Sequence, residues 1–180
     1  MRGRVIQSLV TFGFGLACAA CGSDNELSGS ISESFSLDFD RTQVRLLVDT
    51  DELSIEYLRD LGNTTAKPVK VVVDTTDLPL GADTRVSGDV FMQRVLIQRE
   101  AQTGGDFPEI TGGTVVFDSI NLQLREMMDD DGNTFFVEPE GDIEVKGEFD
   151  AVFTNGRTLF GKFRSDLQVD DPDAPVGTDG

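Results

Sequence analysis

The chain has 180 residues, enough for one domain with a real core beside a targeting segment. Its formal charge is −18 and it contains no histidine. That balance argues against nucleic acid and anionic headgroups as binding surfaces, and it removes the commonest general base, the usual catalytic triads and most zinc sites.

The first residues read as an address. Residues 1–4 carry Arg2 and Arg4 and no acid, and residues 5–20 are VIQSLVTFGFGLACAA. A charged start before a short apolar run is the pattern of a secretory signal. The run is too short for a membrane-spanning helix and holds Gln7, Ser8 and Thr11. After Ala20 the text turns at once to CGSDNELSGS.

Leu16-Ala17-Cys18-Ala19-Ala20-Cys21-Gly22-Ser23 resembles a lipobox, the cleavage and lipidation motif of bacterial lipoproteins. Ala19 and Ala20 match the small residues before the obligatory cysteine, while Cys18 stands where leucine is usual. The resemblance covers only these first twenty-odd residues. It implies cleavage before Cys21, whose thiol takes a diacylglycerol, with fatty acyl chains such as palmitate completing the anchor. Cys18 is the rival acceptor, with Gly15 and Leu16 fitting less well upstream of it. Gly22 is not the aspartate of inner-membrane retention, which implies the outer membrane of a Gram-negative bacterium. Loss of Arg2 and Arg4 brings the mature chain nearer −20, and its one cysteine then excludes an internal disulfide.

Residues 21–29 read as a flexible tether, 30–170 as one β-rich domain, and the Pro- and Gly-containing acidic stretch 171–180 as a disordered tail. Hydrophobic residues make up 38% of the chain, with thirteen Phe, one Tyr and no Trp. The core is therefore expected to be rich in rings without polar handles.

Alternation of period two dominates the domain. Ile31, Phe35, Leu37 and Phe39 alternate with serines and aspartates, predicting a strand. Val44, Leu46 and Val48 follow, then Val69, Val71 and Val73, with Val72 implying burial on both sides. Leu53, Ile55 and Tyr57 read as a strand, with a short helix near 51–61 as the alternative, capped by Thr50 and stopped by Gly62. Ile120, Leu122 and Leu124 alternate again. Turn signals fall at Asn63, Gly81, Gly104-Gly105, Gly112-Gly113, Gly132 and Gly156. Residues 101–113 (AQTGGDFPEITGG) form the longest irregular stretch, with Phe107-Pro108 either exposed or tucked into the core. The fold class is all-β: an antiparallel sandwich or small barrel of about eight or nine strands.

The last hairpin is the most constrained. Ile143, Val145, Gly147, Phe149, Ala151 and Phe153 share one face; Leu159, Gly161, Phe163, Leu167 and Val169 share the next. A two-residue turn at Asn155-Gly156 would set Phe153 against Thr158, an apolar face against a polar one. A three-residue loop pairs Phe153 with Arg157 and Ala151 with Leu159, as the pattern demands. This predicts a type I turn with Gly156 left-handed in a G1 bulge. It also sets Phe149 over Gly161 and Phe163 over Gly147, aromatic covers for cross-strand glycines. Glu148 then meets Lys162, and Lys146 meets Arg164.

Candidate sites are few. Asp129, Asp131 and Glu138 fall at positions three, five and twelve of a calcium loop counted from Gly132. Met127 fails at the first position and FFV follows directly, so a polar turn is favoured over a metal site. Glu138, Glu140, Asp142, Glu144 and Glu148 supply carboxylate pairs, as 33 acidic residues in one chain must. Lys67, Lys70, Lys146 and Lys162 lack a framing serine motif. No catalytic residue and no cofactor beyond the lipid on Cys21 is indicated. Two functions from different classes remain. One is a non-catalytic lipid-anchored module holding the membrane and an envelope protein partner; the other is a barrel carrying a lipid or other apolar ligand.

Overall fold

The computed structural model describes residues 24–78, 84–100, 105–120, 124–129, 131–137 and 144–174. The fold is all-β. Its strands are β1 (Glu26–Ser28), β2 (Arg41–Leu47), β3 (Glu52–Asp60), β4 (Thr65–Asp74), β5 (Thr84–Ser87), β6 (Val95–Glu100), β7 (Ile110–Ser119), β8 (Arg125–Met128), β9 (Thr134–Val137), β10 (Glu144–Phe153) and β11 (Thr158–Asp170), with one helix, α1 (Gly88–Arg94).

One sheet curls into a half-barrel in the order β5-β7-β10-β11-β2-β3-β4-β6, with β1 beside β11; β8 and β9 form a separate small sheet. All pairings are antiparallel except β11 with β2. The chain passes from edge strand β5 through α1 to the opposite edge strand β6, and α1 packs on β4, β5, β6 and β7. Its Phe91 is fully buried.

The inward face holds the core. Val44, Leu53, Ile55, Tyr57, Val69, Val71, Val115, Phe117, Phe149 and Phe163 belong to one buried cluster. Val72 is buried as well, on the other face of β4, as its position in a run of valines implied.

The β10–β11 hairpin has the expected register. Ala151 pairs with Leu159, Phe149 with Gly161 and Gly147 with Phe163. The Phe153 N–H donates to the Arg157 carbonyl at 2.9 Å and the Gly156 N–H to the Phe153 carbonyl at 2.8 Å, with Gly156 at φ 76°. The rings fill the space the glycines leave: a Cβ on Gly161 would lie 2.2 Å from the Phe149 ring, and one on Gly147 2.7 Å from the Phe163 ring.

Several expectations need correction. Residues 30–40 are not a strand. Ser30–Glu33 form a 3-10 turn that buries Ile31, and the chain then runs outside any strand to β2, the Asp40 N–H donating to the Leu58 carbonyl at 2.8 Å. Ser32 bonds locally instead, its Oγ donating to the Gly29 carbonyl at 2.8 Å. The helix alternative near 51–61 gives way to β3, whose centre is buried on both faces; the helix lies at Gly88–Arg94. Gly112 and Gly113 are no turn but lie inside β7. Gly113 is needed for close approach, since a Cβ there would meet the Asp150 carbonyl at 2.2 Å and the Phe91 ring at 2.6 Å.

Within the stretch read as a tether, Glu26–Ser28 pair with β11 and Asn25 Oδ1 accepts from the Arg164 N–H at 2.6 Å. Residues 171–174, read as the start of the tail, are likewise tied in. Asp171 Oδ2 accepts from the Phe136 N–H at 2.7 Å, and the Ala174 N–H turns back to the Asp171 carbonyl. Gly81, Gly104, Leu122 and Ile143 lie outside the described residues.

Gly161→Ala is expected to lower stability by about 1–3 kcal/mol, because the buried Phe149 ring must move. Gly112→Ala, with nothing near its added Cβ, is expected to be neutral or slightly stabilising. Urea denaturation compares the two. Tyr57→Phe removes the 2.7 Å bond from the hydroxyl to the Lys162 carbonyl and is expected to cost about 1–3 kcal/mol by the same measurement, a carbonyl losing its partner without water to replace it.

Candidate interaction surface

The outward face of the β5-β7-β10-β11-β1 half carries the even-numbered residues of β10 and β11. Strand register places Arg85 beside Val116, Val116 beside Glu148, Glu148 beside Lys162, and Lys162 beside Glu26. The next rung reads Thr114, Asp150, Phe160 and Ser28. Between these rungs lies a groove of about 310 Å³, floored where Phe149 and Gly161 pair. Phe160 is 47% exposed and Val152, one rung further, 40%. A second groove, of about 380 Å³, opens between β6 and residues 106–107.

Glu148 and Lys162 are in register as expected, yet they do not close an ion pair. Lys146 and Arg164 are also in register, and their repulsion is relieved on one side: Arg164 turns to Glu144 and to Asp24. Those contacts hold the Arg164 guanidinium above its ordinary range, the hydrogen bond to Glu144 contributing most.

The opposite half of the outward face holds a charged cluster that the sequence reading missed. Glu56 is 4% exposed in the middle of β3. Lys67 Nζ lies 3.0 Å from it and 3.2 Å from Glu100, Lys70 Nζ lies 3.8 Å from it, and Ser54 Oγ donates to it at 3.3 Å. Burial pulls the Lys67 ammonium down, but its hydrogen bonds to Glu56 and Glu100 outweigh that and raise it. Every member is partnered, so the cluster is a structural clasp rather than a reactive site.

The candidate calcium residues divide. Glu138 lies outside the described residues, as do Glu140 and Asp142. Asp129 and Asp131 sit in the β8–β9 turn, where the Asp129 carboxylate is already occupied. Oδ1 accepts from the N–H groups of Asp131 and Asn133 at 3.0 and 2.8 Å, and Oδ2 from Asn133 Nδ2 at 2.9 Å. The Asn133 side chain, first among these donors, holds the carboxyl below its usual range. Among the described residues no three acidic side chains converge in a metal-binding group.

Phe107 tucks inward. Its ring meets Phe35 at 5.1 Å and Phe153 at 5.5 Å, and Arg99 lies 5.2 Å over Phe35. Cys21 falls outside the described residues, and none of the described helices is long and apolar enough to cross a membrane. Comparison with family models, curated proteins and solved structures gives no match to this chain.

Because the folded-state carboxyl of Asp129 titrates below its unfolded value, its turn is held at any pH above the ordinary carboxyl range and loosens as pH falls through the lowered value. The Asn133 and Gly132 amide signals are expected to stay constant from neutral pH down to that range and to shift only below it. A shift already complete near pH 5 would contradict the capped turn.

Proposed function

We propose that this chain is a non-catalytic, lipid-anchored lipoprotein of the cell envelope, carried on the outer membrane, whose β domain is an interaction or structural module. The apolar leader and Cys21 supply the address. The observation that carries the module reading is how soon the chain after Cys21 is built into the fold: Asp24 bonds Arg164 at 2.9 Å and β1 starts at Glu26. Three residues from Cys21 to Asp24 span at most about 10 Å, so the domain would stand at the membrane surface rather than on a long leash.

A filled interior favours the module over the carrier of an apolar ligand. Tyr57, Phe117, Phe149 and Phe163 pack against one another inside the curl, Tyr57 with Phe149 at 6.2 Å and Phe117 with Phe163 at 5.9 Å. The groove floored by Phe149 and Gly161 opens on the outward face.

Cys21→Ser with Cys18 intact is expected to abolish incorporation of a labelled fatty acid in cells and to leave the protein unprocessed. Labelling that persists in this variant and disappears in Cys18→Ser would move the anchor to Cys18. Labelling in neither wild type nor variant would overturn the lipoprotein reading.

A further inference from the structure

Most described cations are held by a carboxylate, from Arg41 on Asp60 to Arg157 on Glu33. Arg85, Lys146 and Lys162 form no ion pair among the described residues. All three stand on the outward face of β5, β10 and β11, and two of them line the groove. Lys162 is flanked on its own rung by Glu148 and Glu26. Opposite charges on neighbouring strands, about 5 Å apart at Cα, are near enough to close into contact but at the surface are not forced to. Here they stand open with the groove between them.

The charges have an order. From β5 inward the rung reads cation, apolar, anion: Arg85, then Val116, then Glu148, with Asp150 two residues along the same strand. Two strand steps span about 10 Å. Phe160 and Lys162 form the far side. An inorganic anion would meet Glu148 and Asp150, and a bare cation would meet Arg85 and Lys162. A ligand bearing both charges with an apolar part between them satisfies the whole rung.

We infer that this groove binds a short peptide with free ends, two or three residues long. Its carboxylate lies against Arg85, an apolar side chain rests on Val116, and its ammonium meets Glu148 and Asp150. At about 3.3 Å per extended residue, that length matches the span between the charges. Glu26 and Ser28 of β1 line one end of the groove and Arg85 the other; the opposite charges at the two ends of a free short peptide, absent from a long chain passing through, favour the former. The inference rests on the module reading only in taking this face as the contact surface; fatty-acid labelling tests the anchor separately, so either can fail alone.

The test is calorimetric titration of the full chain in detergent micelles with the tripeptide Ala-Leu-Ala and with its N-acetylated, C-amidated form. Saturable binding of the free peptide, with the blocked form at least about tenfold weaker, is the expected result. Arg85→Ala and Glu148→Gln are each expected to weaken binding about fivefold or more, and their thermal melts should match wild type because both side chains are at the surface. Absence of saturable heat at millimolar peptide, equal binding of the blocked form, or indifference to both substitutions would overturn the proposal. So would a concentration-dependent dimer in sedimentation that Phe160→Ser dissolves, since a second copy would then occupy the face.

Discussion

The free edge of β11 serves two neighbours within one strand. β1 covers residues 160–162 running antiparallel, β2 covers 167–170 running parallel, and between them no strand lies along that edge. An unpaired backbone group buried there costs on the order of 1–3 kcal/mol. Two side chains bond to this edge: the Tyr57 hydroxyl donates to the carbonyl of Lys162, the last residue β1 covers, and Asn25 Oδ1 accepts from the Arg164 N–H beyond it. Tyr57 belongs to β3, two strands away in the sheet, and reaches β11 only because the sheet curls until those strands face each other. Gly161 completes the device, since a Cβ there would lie 2.8 Å from the Tyr57 oxygen and against the Phe149 ring. Burial pushes the phenol far up, with the Glu26 charge adding to it, so the hydroxyl stays a donor. The single aromatic with an oxygen sits where the sheet has a carbonyl to satisfy.

How much of this was legible follows from how local each signal is. The β10–β11 register could be read because glycines, phenylalanines and the Asn-Gly turn all demanded one offset, and the structure has that offset. Residues 30–40 misled because alternation reports which side chains are buried and not whether a neighbouring strand supplies hydrogen bonds; Ile31 is buried by a 3-10 turn instead. Gly113 was taken as a turn because its reason for being glycine, the Phe91 ring and the Asp150 carbonyl, lies on other elements. Helix α1 has seven residues and one buried side chain, Phe91, too few to show a period. The groove was hidden for the same reason: Glu26, Arg85, Val116, Glu148 and Lys162 are spread along the chain and meet only through strand order. Only the Glu148–Lys162 step was visible; its register is as expected, and the two charges close no ion pair.

The two halves of the outward face handle charge in opposite ways. On β3, β4 and β6, Glu56 is buried and therefore must be met, and Lys67 and Lys70 meet it while Glu100 balances them. Leaving such a group unpaired would be strongly destabilising. On β7, β10 and β11 the charges are exposed, so water can solvate each one and nothing forces them together. An unclosed pair there costs the fold little. It leaves charged groups available to a ligand whose own charges would replace that water.

β1 would connect this face to the proposed anchor at Cys21. Glu26 and Ser28 wall the groove, and the strand holds to β11 over only three residues. A short edge strand of this kind lies at the low end of local stability, because few contacts oppose the entropy of letting it go. If Cys21 carries the proposed anchor, three residues before Asp24, the released strand would have far fewer conformations to gain. Anchoring would then favour the docked strand without adding a contact, by the same logic that makes a constrained chain cheaper to order. The wall of the groove would therefore be firmer in the membrane-bound protein than in a soluble form lacking its lipid.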